Sequence, residues 1–388
     1  MALRDAAIVA YAETKIVDNG DLEVWELAAQ VLEQIIVRSG YEKRDLDGLI
    51  ISTAMTASNS FWSQVAADEL GLELDFCQVI DIGGCSPTGA VARAAAAIEG
   101  GLCNRVLCLF ADTPRPESFR RRPIAEEWTA PIGYLGPTAA FGMLSKRYEH
   151  RYGLDFRALG KIAVTQRTHG IMNELACEKL RRPITIDDYL TSRVINDPIR
   201  LLDSVMACDG ANGVIVTSRK EAETRGFERF VVPVGYGERT NFGAAEAIFE
   251  PTETGHAAAG ERAFRQAGVG PSDIASVHFY DDFLIALMLQ FEMLGFCARG
   301  QGCDFINSTD FLFTGDLPLN TGGGQISAGQ TGLAGGGTNL VEAVRQLFGE
   351  GGKRQVRDTR NALVTGIGGI PYGRNWTSSS VLILTPGS

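Results

Sequence analysis

The sequence predicts an α/β fold built from two similar halves. Three observations support this prediction: strand-like and helix-like runs alternate, their order occurs twice, and many of the 45 glycines stand in short clusters. Alternating strands and helices favour a mostly parallel sheet with helices on its faces. Clustered glycines indicate tight loops, because glycine adopts backbone angles that other residues avoid.

The first half opens on AAIVAYAE (6–13), which is typical of a buried strand because it is almost continuously apolar. The segment LEVWELAAQVLEQIIVRSG (22–40) has the spacing of an amphipathic helix that ends at Gly40, and LDGLIIST (46–53) is the next strand. A third strand, DFCQVIDI (75–82), precedes a loop at 83–89, the helix AVARAAAAIEGG (90–101) and the strand RVLCLFAD (105–112).

The second half repeats this order. AAAGERAFRQAGVGPSDIASVHFY (257–280) gives a helix, a turn and a strand, and the stretch 319–352 gives an Asn-led glycine loop followed by a helix. NALVTGIG (361–368) supplies the closing strand. Repeated units predict a duplicated fold with pseudo-twofold symmetry. We therefore expect an N-terminal half at 1–110, a C-terminal half at 232–388, and an inserted region at 111–231 whose last part rejoins the N-terminal half as a strand.

Composition excludes several functional classes. The formal charge of −11 argues against a nucleic-acid partner, because binding to phosphates needs a basic face. The N-terminus lacks the layout of a signal peptide and no apolar run approaches a membrane span, so we expect a cytoplasmic protein. The eight cysteines show neither CxxC pairs nor Cys/His metal spacing, so we expect no metal site and no disulfide framework.

Five ordered motifs resemble the thiolase superfamily over nearly the whole chain. They are VIDIGGCSPTGAVARAAAAIEGG, INDPIRLLDSVMACDGANGVIVTS, HFYDDFLIALMLQFEMLGFC, LPLNTGGGQISAG and LVTGIGG. The chain is most similar to the sterol-carrier-protein-x thiolases and their side-chain-cleaving aldolase relatives. This resemblance implies a thiolase fold, with two βαβαβαββ halves that form a five-layered αβαβα core around the inserted loop region.

The nucleophile motif of the family, Asn-x-x-Cys-Ala-Ser-Gly, can be aligned here in two registers. Without a gap, Gly84 takes the cysteine place and Cys85 lies one position late. With one residue inserted in the loop, Cys85 regains the nucleophile place. Since Cys85 begins a helix, we expect its thiol to have a lowered pKa.

The remaining motifs depart from the thiolase pattern. Gln330 stands where the family has its activating histidine, and a neutral amide does not accept a proton at neutral pH. The Asn-Glu-Ala-Phe motif reads Tyr280, Asp281, Asp282 and Phe283, and the final motif at 366–370 has glycine in place of its cysteine. The aldolase relatives resemble this chain in these same departures, since they carry Tyr-Asp in the third motif.

Cleavage beside a thioester requires donors that hold an enolate oxygen, and helix N-termini and glycine loops supply unpaired N–H groups. The predicted enolate-holding residues are Gly84, Ser86, Gly329, Gly368 and Gly369. For the acyl-CoA substrate, the predicted contacts are Ser327 and the run Arg120, Arg121 and Arg122, since guanidinium groups suit phosphates. His169 and His278 are weaker candidates, because a strand or helix histidine is more often structural.

Two reactions fit these residues, and we favour the first. In thiolysis of a 3-ketoacyl-CoA, Cys85 takes an acyl group and passes it to coenzyme A, and the presence of a cysteine so near the nucleophile place supports this route. In retro-aldol cleavage of a 3-hydroxyacyl-CoA, Tyr280, aligned with Asp282, removes the hydroxyl proton without a covalent intermediate. A third alternative is a non-catalytic subunit.

The resemblance implies a homodimeric core and a separately encoded partner with a zinc ribbon and an oligonucleotide fold.

Overall fold

The computed structural model describes residues 2–56, 60–114, 130–134, 136–246, 250–369 and 376–387. The strands are β1 Ala6–Glu13, β2 Gly48–Ser52, β3 Phe76–Ile80, β4 Arg105–Asp112, β5 Val194–Asn196, β6 Ile199–Arg200, β7 Gly210–Ser218, β8 Val231–Thr240, β9 Ser276–His278, β10 Ala362–Ile367 and β11 Ser378–Pro386. The helices are α1 Val24–Ser39, α2 Trp62–Leu70, α3 Ser86–Glu99, α4 Gly136–Tyr152, α5 Phe156–Met172, α6 Ile186–Thr191, α7 Arg219–Thr224, α8 His256–Ala267, α9 Leu284–Met293, α10 Gly302–Ser308, α11 Gly324–Ala328 and α12 Gly335–Leu347.

Strand pairing shows the two similar halves. The strands follow the order β3-β2-β4-β7-β1 in the first half and β8-β11-β10-β9 in the second, and the halves meet where β1 pairs with β8 through Ile8 and Val231. In each half the first strand pairs antiparallel with the last, as β1 does with β7 and β8 with β11. Each half also contains a parallel pair, as in β2 with β4 and β9 with β10.

Helices α3 and α12 form the middle layer. Each contacts the other and strands from both halves, while α1 and α8 cover the outer faces. The two middle helices begin close together, since a Cβ on Gly336 would lie 2.4 Å from the carbonyl oxygen of Gly84. This arrangement confirms the predicted five-layered α/β fold, and it brings the helix N-termini of both halves to one place.

The inserted region contains the long helices α4 and α5, and its last strand, β7, lies between β4 and β1. The predicted domain bounds at 110 and 231 stay predictions. The second half contains a buried cluster of ion pairs. In this cluster Glu342 pairs with Arg345 and Arg354 and accepts a hydrogen bond from the hydroxyl of Thr321 at 2.7 Å. In the described part of the chain, no helix combines the length and the apolar character of a membrane-crossing segment.

Candidate active site

The loop before α3 lies against the ring of Tyr280, which follows β9. A Cβ placed on Gly84 would lie 2.1 Å from Cε2 of Tyr280 and 2.6 Å from the carbonyl oxygen of Ile367. No side chain fits there, so glycine is required for the close approach of loop and ring. In the ungapped register Gly84 holds the nucleophile place, and here it is the residue that faces the Tyr280 side chain.

Cys85 lies behind this loop and is fully buried. Its thiol interacts with the Ser380 hydroxyl, which is 2.7 Å from the hydroxyl of Thr88. Burial raises the pKa of the thiol to about 12. The lowered pKa that we expected at the start of α3 is therefore wrong, because loss of hydration outweighs the favourable helix dipole.

Three of the predicted catalytic side chains come together on the other side of Gly84. The hydroxyl of Tyr280 and the carboxyl of Asp282 both interact with the amide of Gln330. Burial, and then the nearby Asp281, raises the pKa of Asp282 to about 7. The pKa of Tyr280 is raised well above its ordinary value, first by burial and then by Asp282. Near neutral pH the carboxyl is therefore the group that exchanges a proton.

The backbone and the amide of this cluster are held firmly. The N–H of Tyr280 donates to the Thr365 hydroxyl at 2.8 Å, and its carbonyl accepts from Gln290 at 2.8 Å. The Gln330 amide donates to the carbonyl of Gly332 at 3.0 Å and accepts from its N–H at 2.9 Å. In contrast, Oδ1 of Asp282 is buried without a partner among the described residues.

Asp281 organises the neighbouring glycine loop, a role that the sequence did not reveal. Its carboxylate accepts from the N–H of Gln325 at 2.9 Å, from the N–H of Ile326 at 3.2 Å and from Nε2 of Gln166 at 2.6 Å. These bonds fix the first turn of α11. The only indication in the sequence was that consecutive side chains of an extended segment point to opposite sides, so Asp281 and Asp282 were expected to face different surroundings.

The predicted enolate-holding donors divide into two groups. The N–H groups of Gly329, Gly368 and Ser86 are already bonded, to the carbonyls of Gln325 (3.0 Å), Ser378 (2.8 Å) and Gly83 respectively. These three N–H groups therefore already have partners, which weakens the prediction that they hold the enolate. Gly84 and Gly369 stay as candidates, and the backbone of Gly369 lies beside the loop that holds Gly84.

The buried histidines near the site are structural. His169 donates through Nδ1 to the Leu319 carbonyl at 3.1 Å and accepts at Nε2 from the N–H of Phe313 at 3.0 Å. Burial lowers the pKa of both His169 and His278 to about 4, so both are neutral. The sequence missed His256, whose Nε2 lies 3.1 Å from the carbonyl oxygen of Gly366 and holds the last glycine loop.

The predicted coenzyme A contacts have different outcomes. Arg120, Arg121 and Arg122 lie outside the described residues. Ser327 is fully buried, and its hydroxyl accepts from Nε of Arg167 at 3.3 Å. Within the described chain Arg167 has no carboxylate partner, although it is nearly buried and its pKa is lowered by burial. A buried guanidinium without an acid is an unusual feature that suits a phosphate or another anion.

Comparisons with known proteins agree with the fold and the motifs. The family model described as thiolase C-terminal domain-like matches residues 237–385. The steroid side-chain-cleaving aldolase of Thermomonospora curvata is 32% identical, with 94% of this chain and 96% of that protein covered. The 17-hydroxy-3-oxo-4-pregnene-20-carboxyl-CoA lyase of Mycobacterium tuberculosis is 30% identical, over 94% of this chain and 97% of the lyase.

A solved structure supports the same relationship. The structure described as the Ltp2-ChsH2(DUF35) aldolase superposes with a TM-score of 0.86 at 30% identity and covers 99% of this chain and 98% of that one. Both of these relatives have the names of enzymes, an aldolase and a lyase. The chain therefore belongs to the thiolase superfamily of enzymes, in the branch that includes the steroid side-chain-cleaving aldolases.

Proposed function

We propose that this enzyme cleaves the Cα–Cβ bond of a 3-hydroxyacyl-CoA by a retro-aldol reaction. The observation that carries the proposal is the contact between Gly84, at the nucleophile place, and Tyr280, whose neighbour Asp282 has a pKa of about 7. A site without a nucleophile but with a tyrosine and a carboxyl group suits proton transfer without an acyl-enzyme. The names of the two compared relatives, an aldolase and a lyase, support the same reaction class.

Asp282 acts as the base through Tyr280. The raised pKa of Tyr280 keeps its hydroxyl protonated, so the phenol oxygen accepts the β-hydroxyl proton only as its own proton passes to the Asp282 carboxylate. The Cα–Cβ electron pair then moves into the thioester as an enolate, and Cβ becomes a carbonyl group. The same proton returns to Cα, so the products are an aldehyde or ketone and a shortened acyl-CoA, with no net change in protons.

The enolate oxygen requires donors at the moment the bond breaks. The N–H groups of Gly84 and Gly369 are the candidates, since the Gln330 amide already interacts with Gly332, Tyr280 and Asp282. Because both halves of the chain contribute, the oxygen would lie between the starts of α3 and α12. The dipoles of these helices favour negative charge there.

Thiolysis, the reaction that we favoured from the sequence, has less support. It needs a thiolate that reaches the acyl carbon, whereas the Cys85 thiol is fully buried with a pKa of about 12. It also needs a base for that thiol. The histidine place of the family is taken by Gln330, and the three buried histidines, His169, His256 and His278, are bonded elsewhere or neutral.

We further propose coenzyme A thioesters with a steroid side chain as the first substrates to test, since the relatives named above act on steroid side chains or on a pregnene carboxyl-CoA. Arg167 and Ser327 are our candidates for the anionic part of coenzyme A. A homodimeric core is part of the proposal. By analogy with the Ltp2-ChsH2(DUF35) aldolase, so is a small DUF35-type partner protein, consistent with the zinc-ribbon partner expected from the sequence.

The test compares Tyr280→Phe with Tyr41→Phe, a matched loss of a buried tyrosine hydroxyl far from the site, where it bonds Glu221 at 3.2 Å. The chain, with its partner protein, is incubated with 3-hydroxyacyl-CoAs, and the shortened acyl-CoA is measured by chromatography. We expect Tyr280→Phe to lower kcat by about 10³ and Tyr41→Phe to leave it unchanged. Equal turnover by Tyr280→Phe, or an acyl adduct on Cys85 in the intact mass, would refute the proposal.

A further inference from the structure

Gln325, in the first turn of α11, carries an amide with no partner. The residue is fully buried, and both Nε2 and Oε1 lack a hydrogen bond within the described chain. Another buried glutamine, Gln346, shows the usual situation: its Nε2 donates to Thr321 at 3.1 Å and its Oε1 accepts from the N–H of Val356 at 2.9 Å. Most buried polar groups in proteins have such partners, so the exception needs an explanation.

The amide of Gln325 lies beside the proposed catalytic cluster. A Cβ placed on Gly335 would be 2.1 Å from Oε1 of Gln325 and 3.3 Å from Nε2 of Gln330, so both amides border the same point. The backbone of Gln325 is fixed at each end of its peptide unit, since its N–H donates to Asp281 at 2.9 Å and its carbonyl accepts from Gly329 at 3.0 Å. The unpaired amide is thus held in place next to Gln330.

Leaving such a group unpaired is unfavourable for the free protein. Each unsatisfied buried donor or acceptor lowers the stability of the folded protein, and Gln325 has both. Binding sites that recognise a hydroxyl or carbonyl group of a substrate contain unpaired buried donors and acceptors, because the substrate completes their hydrogen bonds. Oδ1 of Asp282, a second unpaired atom, belongs to a carboxyl that interacts with the same Gln330.

We infer that the Gln325 amide binds the β-hydroxyl group of the substrate and favours a 3-hydroxyacyl thioester over its unsubstituted counterpart; this inference rests on the proposed retro-aldol function. The Nε2 group of the amide donates to the hydroxyl oxygen, so the proton of the hydroxyl stays free for the phenol oxygen of Tyr280. A probe without the hydroxyl leaves Nε2 unpaired.

The test measures recognition of the hydroxyl without turnover. Binding of 3-hydroxy-3-methylbutyryl-CoA and of 3-methylbutyryl-CoA, which differ only in that hydroxyl, is measured by calorimetry on Tyr280→Phe and on Tyr280→Phe with Gln325→Met. We expect the parent to bind the hydroxylated probe more tightly and Gln325→Met to reduce this preference at least tenfold. Because Met removes the unpaired amide at similar volume, we also expect Gln325→Met to keep or raise the Tm of the free protein.

Gln346→Met is the matched control. It removes a satisfied buried amide, so it should lower Tm and leave the preference between the two probes unchanged. A parent without preference for the hydroxyl, or a preference that survives Gln325→Met, would overturn the inference. Failure of the wild-type enzyme to cleave any 3-hydroxyacyl-CoA would instead count against the proposed function, and the binding ratio reports on Gln325 independently.

Discussion

The loop that contains Gly84 separates two unlike regions. On one side, the Cys85 thiol is enclosed, interacts with Ser380 and has a raised pKa. On the other side, Tyr280 and Asp282 meet the amide of Gln330, and an oxygen of Asp282 has no partner among the described residues. The first region is complete in the free protein, whereas the second has hydrogen-bonding capacity left for a ligand.

This difference shows that reactivity follows unused bonding capacity rather than residue type. A cysteine is intrinsically the better nucleophile, yet Cys85 is fully buried and its pKa is raised. In the proposed mechanism Asp282 transfers the proton, because burial beside Asp281 brings its pKa to about 7. Four substitutions would break or sharpen this comparison, and they are ordered by expected effect.

The largest effect is expected for Asp282→Asn, which removes the base. We expect kcat to fall by about 10³, since general-base catalysis contributes effects of this size. In the wild type, kcat should rise with pH as the carboxyl with a pKa of about 7 loses its proton, and should level off above that pH. A wild-type profile that is flat between pH 5 and 9, or that falls as pH rises, would contradict the assignment.

Gly84→Ala should have the next largest effect. Its methyl group would lie 2.1 Å from the Tyr280 ring, so the ring must move and the cluster must open. We expect kcat to fall by about a hundredfold, in line with the losses that follow a 1 Å misplacement of a catalytic group. Gly270→Ala is the control, because there the nearest atom would be 3.8 Å away and activity should not change.

His256→Leu should cost roughly tenfold in kcat by releasing the Gly366 carbonyl, which its Nε2 contacts at 3.1 Å. His256→Gln, which keeps a donor, should recover most of the activity. Burial lowers the pKa of His256 to about 3, so neither variant should shift the pH profile. A shift in that profile would show that His256 transfers protons itself.

The smallest effect on activity is expected for Cys85→Ala, with less than a threefold change in kcat/KM. Loss of the buried sulfur should instead lower the free energy of unfolding by about 1 to 2 kcal/mol, measured by urea denaturation. Iodoacetamide should not label Cys85 in the folded protein, since the residue is fully buried. Inactivation together with protection by acyl-CoA would restore the thiolytic route.

The sequence predicted the fold well because the spacing of apolar residues and the repeated order of strands and helices can be recognised without knowing which residues are in contact. The same α/β unit is visible in strands 6–13 and 231–240 and in the helices after the two glycine loops. Tyr280, Asp282 and Gln330 were also predicted, because their motifs occupy the positions at which family motifs carry chemistry.

The fate of Cys85 was not predictable from its own segment. A helix N-terminus lowers a thiol pKa only where water or a charge can reach it, and here burial raises the pKa although the Ser380 hydroxyl, almost 300 residues away in sequence, acts in the opposite direction. Gln325 and His256 were missed for a similar reason. Their roles depend on what approaches them in three dimensions, such as Gly335 and the carbonyl of Gly366.

The proposed retro-aldol route at Gly84 and Tyr280 has one more consequence. Microscopic reversibility requires the groups that cleave the bond to catalyse its formation from the enolate and a carbonyl compound as well. Supplied with an acyl-CoA and excess ketone or aldehyde, the site around Gly84 and Tyr280 would run as an aldol ligase without ATP. On the proposed mechanism, we therefore expect the same site to join as well as to cleave carbon–carbon bonds.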